Sequence, residues 1–96
     1  MTTAANTPHT MSTAFQTAVR TNVQHETRLE AIDRLAERGE RANLALLVEL
    51  GGLSGEYRRY ALERLADCGG RDELAELAEE TTVDPSLRRR ADELAR

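Results

Sequence analysis

Ninety-six residues, 40% hydrophobic and 31% charged with no Trp and one Phe, suit one small domain with a core of Leu, Ala and Val and a thin stability margin. The net charge is −4 and all thirteen basic residues are Arg, so the chain repels phosphate, nucleic acid starts as a poor candidate, and none is the expected partner. One Cys excludes an internal disulfide framework and suits a reducing cytoplasm, and the most apolar run, Leu44 to Val48, is far too short to span a bilayer, so no membrane partner is expected.

Along the chain, residues 1–11 come first. "MTTAANTPHT" has neither a basic start nor an apolar stretch, which argues against a secretory signal and for a disordered tail, with Met11 available as a second start. Residues 12–96 then read as one domain, with helices at about 13–20, 24–38, 41–50, 55–68, 71–80 and 85–95. Between residues 20 and 26 there is neither Gly nor Pro, so the first two helices could instead be one from Thr13 to Arg38, opened by a Thr13/Gln16 capping box. Gly39 and Gly69 suit the left-handed residue that closes a helix. The other breaks are "GGLSG" at 51–55 and "TTVDP" at 81–85, where Ser54 and Asp84 occupy N-cap positions and Pro85 the first helical one.

The breaks recur because the sequence does. Residues 26–55 align on 56–85 without a gap, with identities that include Arg28/Arg58, Ala31/Ala61, Leu35/Leu65, Gly39/Gly69, Leu44/Leu74 and Leu47/Leu77. A partial third copy keeps Arg88 and Ala91, while residues 11–25 match 41–55 only in apolar character. A fixed period of this size marks an array of stacked units, here spanning about 12–39, 40–69 and 70–96. The expected core is Leu35, Ala36, Leu44, Leu47, Val48, Ala61, Leu62, Leu65, Leu74 and Leu77. The middle first helix, "RANLALLVEL", is apolar on nearly all sides and its outer counterparts on one stripe only, which suits a self-capped small domain.

"DPSLRRRADELA" (84–95) and "GEYRRYALERLADCGGRDELAELAEE" (55–80) resemble HEAT-like helical repeats, most closely the short kind named after the phycobilisome lyases, over roughly residues 24–96. The resemblance implies an all-α fold, a short right-handed α-solenoid of about three helical hairpins, with second helices on a concave side and first helices on a convex side. Arg58 and Arg88 match the family's recurrent Arg, Ala61 and Ala91 its small packing residue, Leu65 its Leu and Gly69 its inter-repeat Gly. Ser54 and Gln24 depart from it by replacing the Asp, and Pro is missing from both of those copies.

No catalytic, cofactor-binding or metal-binding residues are assigned. His9 and His25 are not at ligand spacing from Cys68, Cys68 reads as a packing thiol, and no nucleophile, base and orienting group stand together, so no enzyme and no cofactor is expected. Arg28, Arg58 and Arg88 read as structural guanidiniums tying adjacent turns, with anion binding as the other use. Two surfaces are candidates for a protein partner or a homodimer. On the concave side, Tyr60 is an aromatic anchor with Arg59, Glu63 and Arg90, among acids that suit a basic peptide; a plain solvated face is the bland reading. On the convex side, Leu46 and Leu50 are Glu76 and Glu80 one repeat later and Gln16 and Arg20 one repeat earlier. That column should face outward, with Asn43 on the same stripe, unless flanking helices or the N-terminal tail cover it. The expected function is a small non-enzymatic interaction or scaffold module; a nucleic-acid-binding or lyase-type HEAT-like module is the alternative.

Overall fold

Helix formers set the local structure, and left-handed glycines and extended turns cut it into short pieces. The computed structural model describes residues 12–96; the expected tail at 1–11, with His9 and Met11, lies outside the described residues. The described chain is all-helical: α1 Thr13–Val19, α2 His25–Glu37, α3 Arg41–Glu49, α4 Gly55–Asp67, α5 Arg71–Glu79 and α6 Pro85–Ala95. Helices α1 and α2, α3 and α4, and α5 and α6 pack pairwise, α2 and α6 both pack on α4, and α3 packs on α5.

The alternative of one helix over 13–38 does not hold. Arg20 and Gln24 are extended, and the helix starts at Ser12, whose side chain accepts the Phe15 N–H, rather than at a Thr13/Gln16 capping box. The break has a tertiary cause. Ala14, Phe15 and Ala18 are buried, and a continuous helix would carry them away from the core. Arg28 pins the turn by donating from Nη1 to the Ala18 carbonyl at 2.6 Å.

The glycine stops are alike in two copies. Gly39 and Gly69 have φ of 67° and 84°, and the following residues, Glu40 and Gly70, donate to the carbonyls of Leu35 and Leu65, each at 2.9 Å. Each is a Schellman closure, which satisfies carbonyls that a helix end leaves free. Ser54 and Asp84 occupy the N-cap positions, but neither side chain makes a cap bond; the Asp84 carboxylate lies instead 3.4 Å from Arg58.

All ten expected core residues are buried, and the core columns repeat through the chain. Ile32/Leu62, Leu35/Leu65, Leu44/Leu74, Leu47/Leu77 and Leu53/Val83 are buried in both copies, and Ala31, Ala61 and Ala91 are buried on α2, α4 and α6, which pack α2 on α4 and α4 on α6. Asn43 departs from the outward stripe assigned to it. It is buried in the first turn of α3, beside the buried Leu44, with Nδ2 donating to Glu40 Oε1 at 2.9 Å.

Candidate functional site

On the second-helix side, acids and donors from neighbouring helices meet. Tyr60 Oη donates to Asp33 Oδ1 at 2.6 Å, and Arg64 Nε donates to the same oxygen at 3.0 Å while Nη1 reaches Asp67. One repeat on, Arg90 grips Glu63 through Nε at 2.6 Å and Nη2 at 3.1 Å, and its Nη1 reaches Glu93. Tyr60 and Arg90 occupy the same repeat position, as do Asp33 and Glu63, so a phenol and a guanidinium make equivalent ties. The hydrogen bond to Asp33 raises the Tyr60 pKa, with burial adding to it, and that to Glu63 raises that of Arg90. Of the four expected concave residues, Tyr60, Glu63 and Arg90 are half-buried and spend their polar ends between helices, whereas Arg59 is exposed.

The Arg column stands at the inter-helix turns. Arg58 donates from Nε to the Leu53 carbonyl at 2.9 Å and reaches Asp84 through Nη2, joining its own hairpin's turn to the cap of the next. Arg28 is buried, holds the Ala18 carbonyl, and lies with its guanidinium carbon 4.9 Å from the centre of the Tyr57 ring. Arg88 is half-buried, and the Nε atoms of Arg28 and Arg88 have no hydrogen-bond partner.

Leu46 and Leu50 are the exposed large hydrophobic residues among the described ones, at 44% and 37%. They stand four apart at the outer face and C-terminal end of α3, without Asn43. Leu50 also borders a cleft of about 470 Å³ between the α1–α2 and α3–α4 turns.

His25, not at ligand spacing from Cys68 in the sequence, gains its neighbours from the fold. The structure sets its Nδ1 2.8 Å from Tyr57 Oη and 3.9 Å from Glu56. The signal was the period itself, since packing one repeat on the next brings residue 25 to the neighbourhood of 55. Burial raises the Cys68 thiol pKa, and its Sγ donates to the Leu65 carbonyl at 3.6 Å, which favours the thiol over the thiolate. Among the described residues no group of His, Cys, Asp and Glu is gathered to hold a metal ion, and no helix is long and apolar enough to cross a membrane. Comparison with protein-family models, with curated proteins and with solved structures gives no match to this chain.

Proposed function

We propose that the chain is a small non-enzymatic interaction module, a short right-handed α-solenoid of three HEAT-like hairpins, and that it self-associates through the outer face of α3. The thirty-residue period, the paired glycine closures and the packing of each second helix on the next support the solenoid reading. The observation that carries the function is the exposure of Leu46 and Leu50 in a column filled by polar residues in the hairpins on either side. A stripe on the middle hairpin suits a two-fold interface, in which the same patch serves both copies. Burying it would add stability to an array this short. The acidic second-helix side, tied up by its own ion pairs, supports neither a nucleic-acid nor a lyase-type reading.

The test is a cross-link. Leu46→Cys in a Cys68→Ser background should form a disulfide-linked dimer under mild oxidation. Glu76→Cys, the same position one repeat on, should not. Equal cross-linking at both positions would overturn the assignment, as would none at either.

A further inference from the structure

The cleft between the α1–α2 and α3–α4 turns holds a positive charge that meets the Tyr57 ring and no carboxylate among the described residues. Its wall includes Arg28 and Arg20 and no Asp or Glu, in a chain whose acids outnumber its arginines. Arg28 is 8% exposed; its Nη1 is spent on Ala18, its Nε has no partner, and no carboxylate among the described residues lies within ion-pair distance of it.

In the neighbouring repeat the equivalent arginine, held through Nε to the Leu53 carbonyl, has its charge answered. There Arg58 reaches the carboxylate of Asp84, the N-cap of the following second helix. One repeat earlier the N-cap is Ser54, a neutral residue that lines the cleft together with Arg28, so the position equivalent to Asp84 offers no carboxylate. A buried guanidinium left without an anion is costly, and a planar carboxylate is the group it binds best. Val19, Leu50 and Leu53 supply apolar wall beside it. The residues at 1–11 include no Asp or Glu, so no side chain of that segment can act as the missing anion.

We infer that this cleft is a binding site for a carboxylate carried on an apolar body, with Arg28 receiving the carboxylate, Arg20 drawing it in, and the aliphatic wall holding the body. Two sources share that chemistry: the C-terminal residue of a peptide ending in an aliphatic side chain, and a free alkanoate. The site stands apart from self-association through α3, although Leu50 borders both.

The experiment follows the amide and Arg Nε–H signals of the full chain by nuclear magnetic resonance. The probes are hexanoate, N-acetyl-Ala-Leu with a free carboxylate, and the same dipeptide amidated. Saturable shifts at Arg28, Leu53, Ser54 and Tyr57 with either carboxylate, and none with the amide, are expected; the probe that saturates first identifies the source. Ser54→Asp restores the internal carboxylate on the pattern of Asp84. It should raise the melting temperature and weaken the carboxylate probe by about tenfold or more, as an occupied charge-pair site requires. Equal binding of acid and amide, or no saturable shift with any probe, overturns the inference. So does a Ser54→Asp variant that binds as the wild type does. Self-association is read separately from molecular mass, which Ser54→Asp should leave unchanged.

Discussion

Tyr60 on α4 donates its hydroxyl proton to Asp33 on α2 at 2.6 Å, and this bond joins the second helices of adjacent hairpins across a separation of 27 residues. Arg90 makes the equivalent tie to Glu63, so polar links join α2 to α4 and α4 to α6 alongside the buried alanines of these helices. These links stand at half-exposed positions, where each contributes little alone and mainly fixes how one hairpin sits on the next.

The Tyr60 link has a pH signature. Tyr60→Phe should lower stability by about 0.5–1 kcal/mol, below the usual range for a hydrogen bond to a charged group because the site is partly solvated. Folding raises the phenol pKa above its ordinary 10.0, chiefly through the bond to Asp33, so the folded state holds that proton more tightly than the unfolded chain. The contribution is therefore complete below pH 10.0 and lost as pH climbs through the raised folded value. Denaturant melts of the two proteins across this range should converge on the alkaline side. A gap that widens with pH would contradict the assignment.

Leu65 tests the register. It is fully buried, and its carbonyl also closes the α4 terminus through Gly70. Leu65→Ala should cost about 2–5 kcal/mol, as large-to-small core changes do. A loss below about 0.5 kcal/mol in urea unfolding would put the residue on the surface. Gly70→Ala should also destabilise, because an added Cβ would meet the Leu65 side chain and lie 2.9 Å from its carbonyl oxygen.

The helices and the core were legible because both follow the period: an apolar column that recurs in every copy has to be inside. Gly39 and Gly69 marked their stops for the same reason, each being needed at positive φ. The break at residues 20–24 stood in the expected helix bounds but, without Gly or Pro there, the sequence left one continuous helix open; what fixes the break is Arg28 reaching Ala18, a contact between helices. Asn43 was misplaced because helical spacing put it with Leu46 and Leu50. Its equivalent one repeat later, Glu73, is half-buried and pairs with Arg41, so that column was never an outward one. The Arg28 cleft was half legible. Ser54 in place of Asp was visible, but the consequence needed the Arg58–Asp84 pair seen in space.

Arg58 should behave as a structural residue. It joins the Leu53 carbonyl to Asp84, and its side chain is 14% exposed. Arg58→Ala should cost about 1–3 kcal/mol, the range for removing a charged donor from a largely buried acceptor. Calorimetry should show the lower melting temperature while the self-association constant of the folded protein stays as in the wild type. Unchanged stability with lost association would reverse the assignment.

The mass of the folded protein in solution tests the central claim most directly. Sedimentation equilibrium of the full chain, from low to high micromolar, should give a mass rising from one copy toward two. Leu46→Glu with Leu50→Glu should stay at one copy with its helical circular dichroism intact, since both side chains stand outside the core. A wild-type monomer over the whole range would contradict self-association through α3, and an unfolded double variant would show that the stripe belongs to the core.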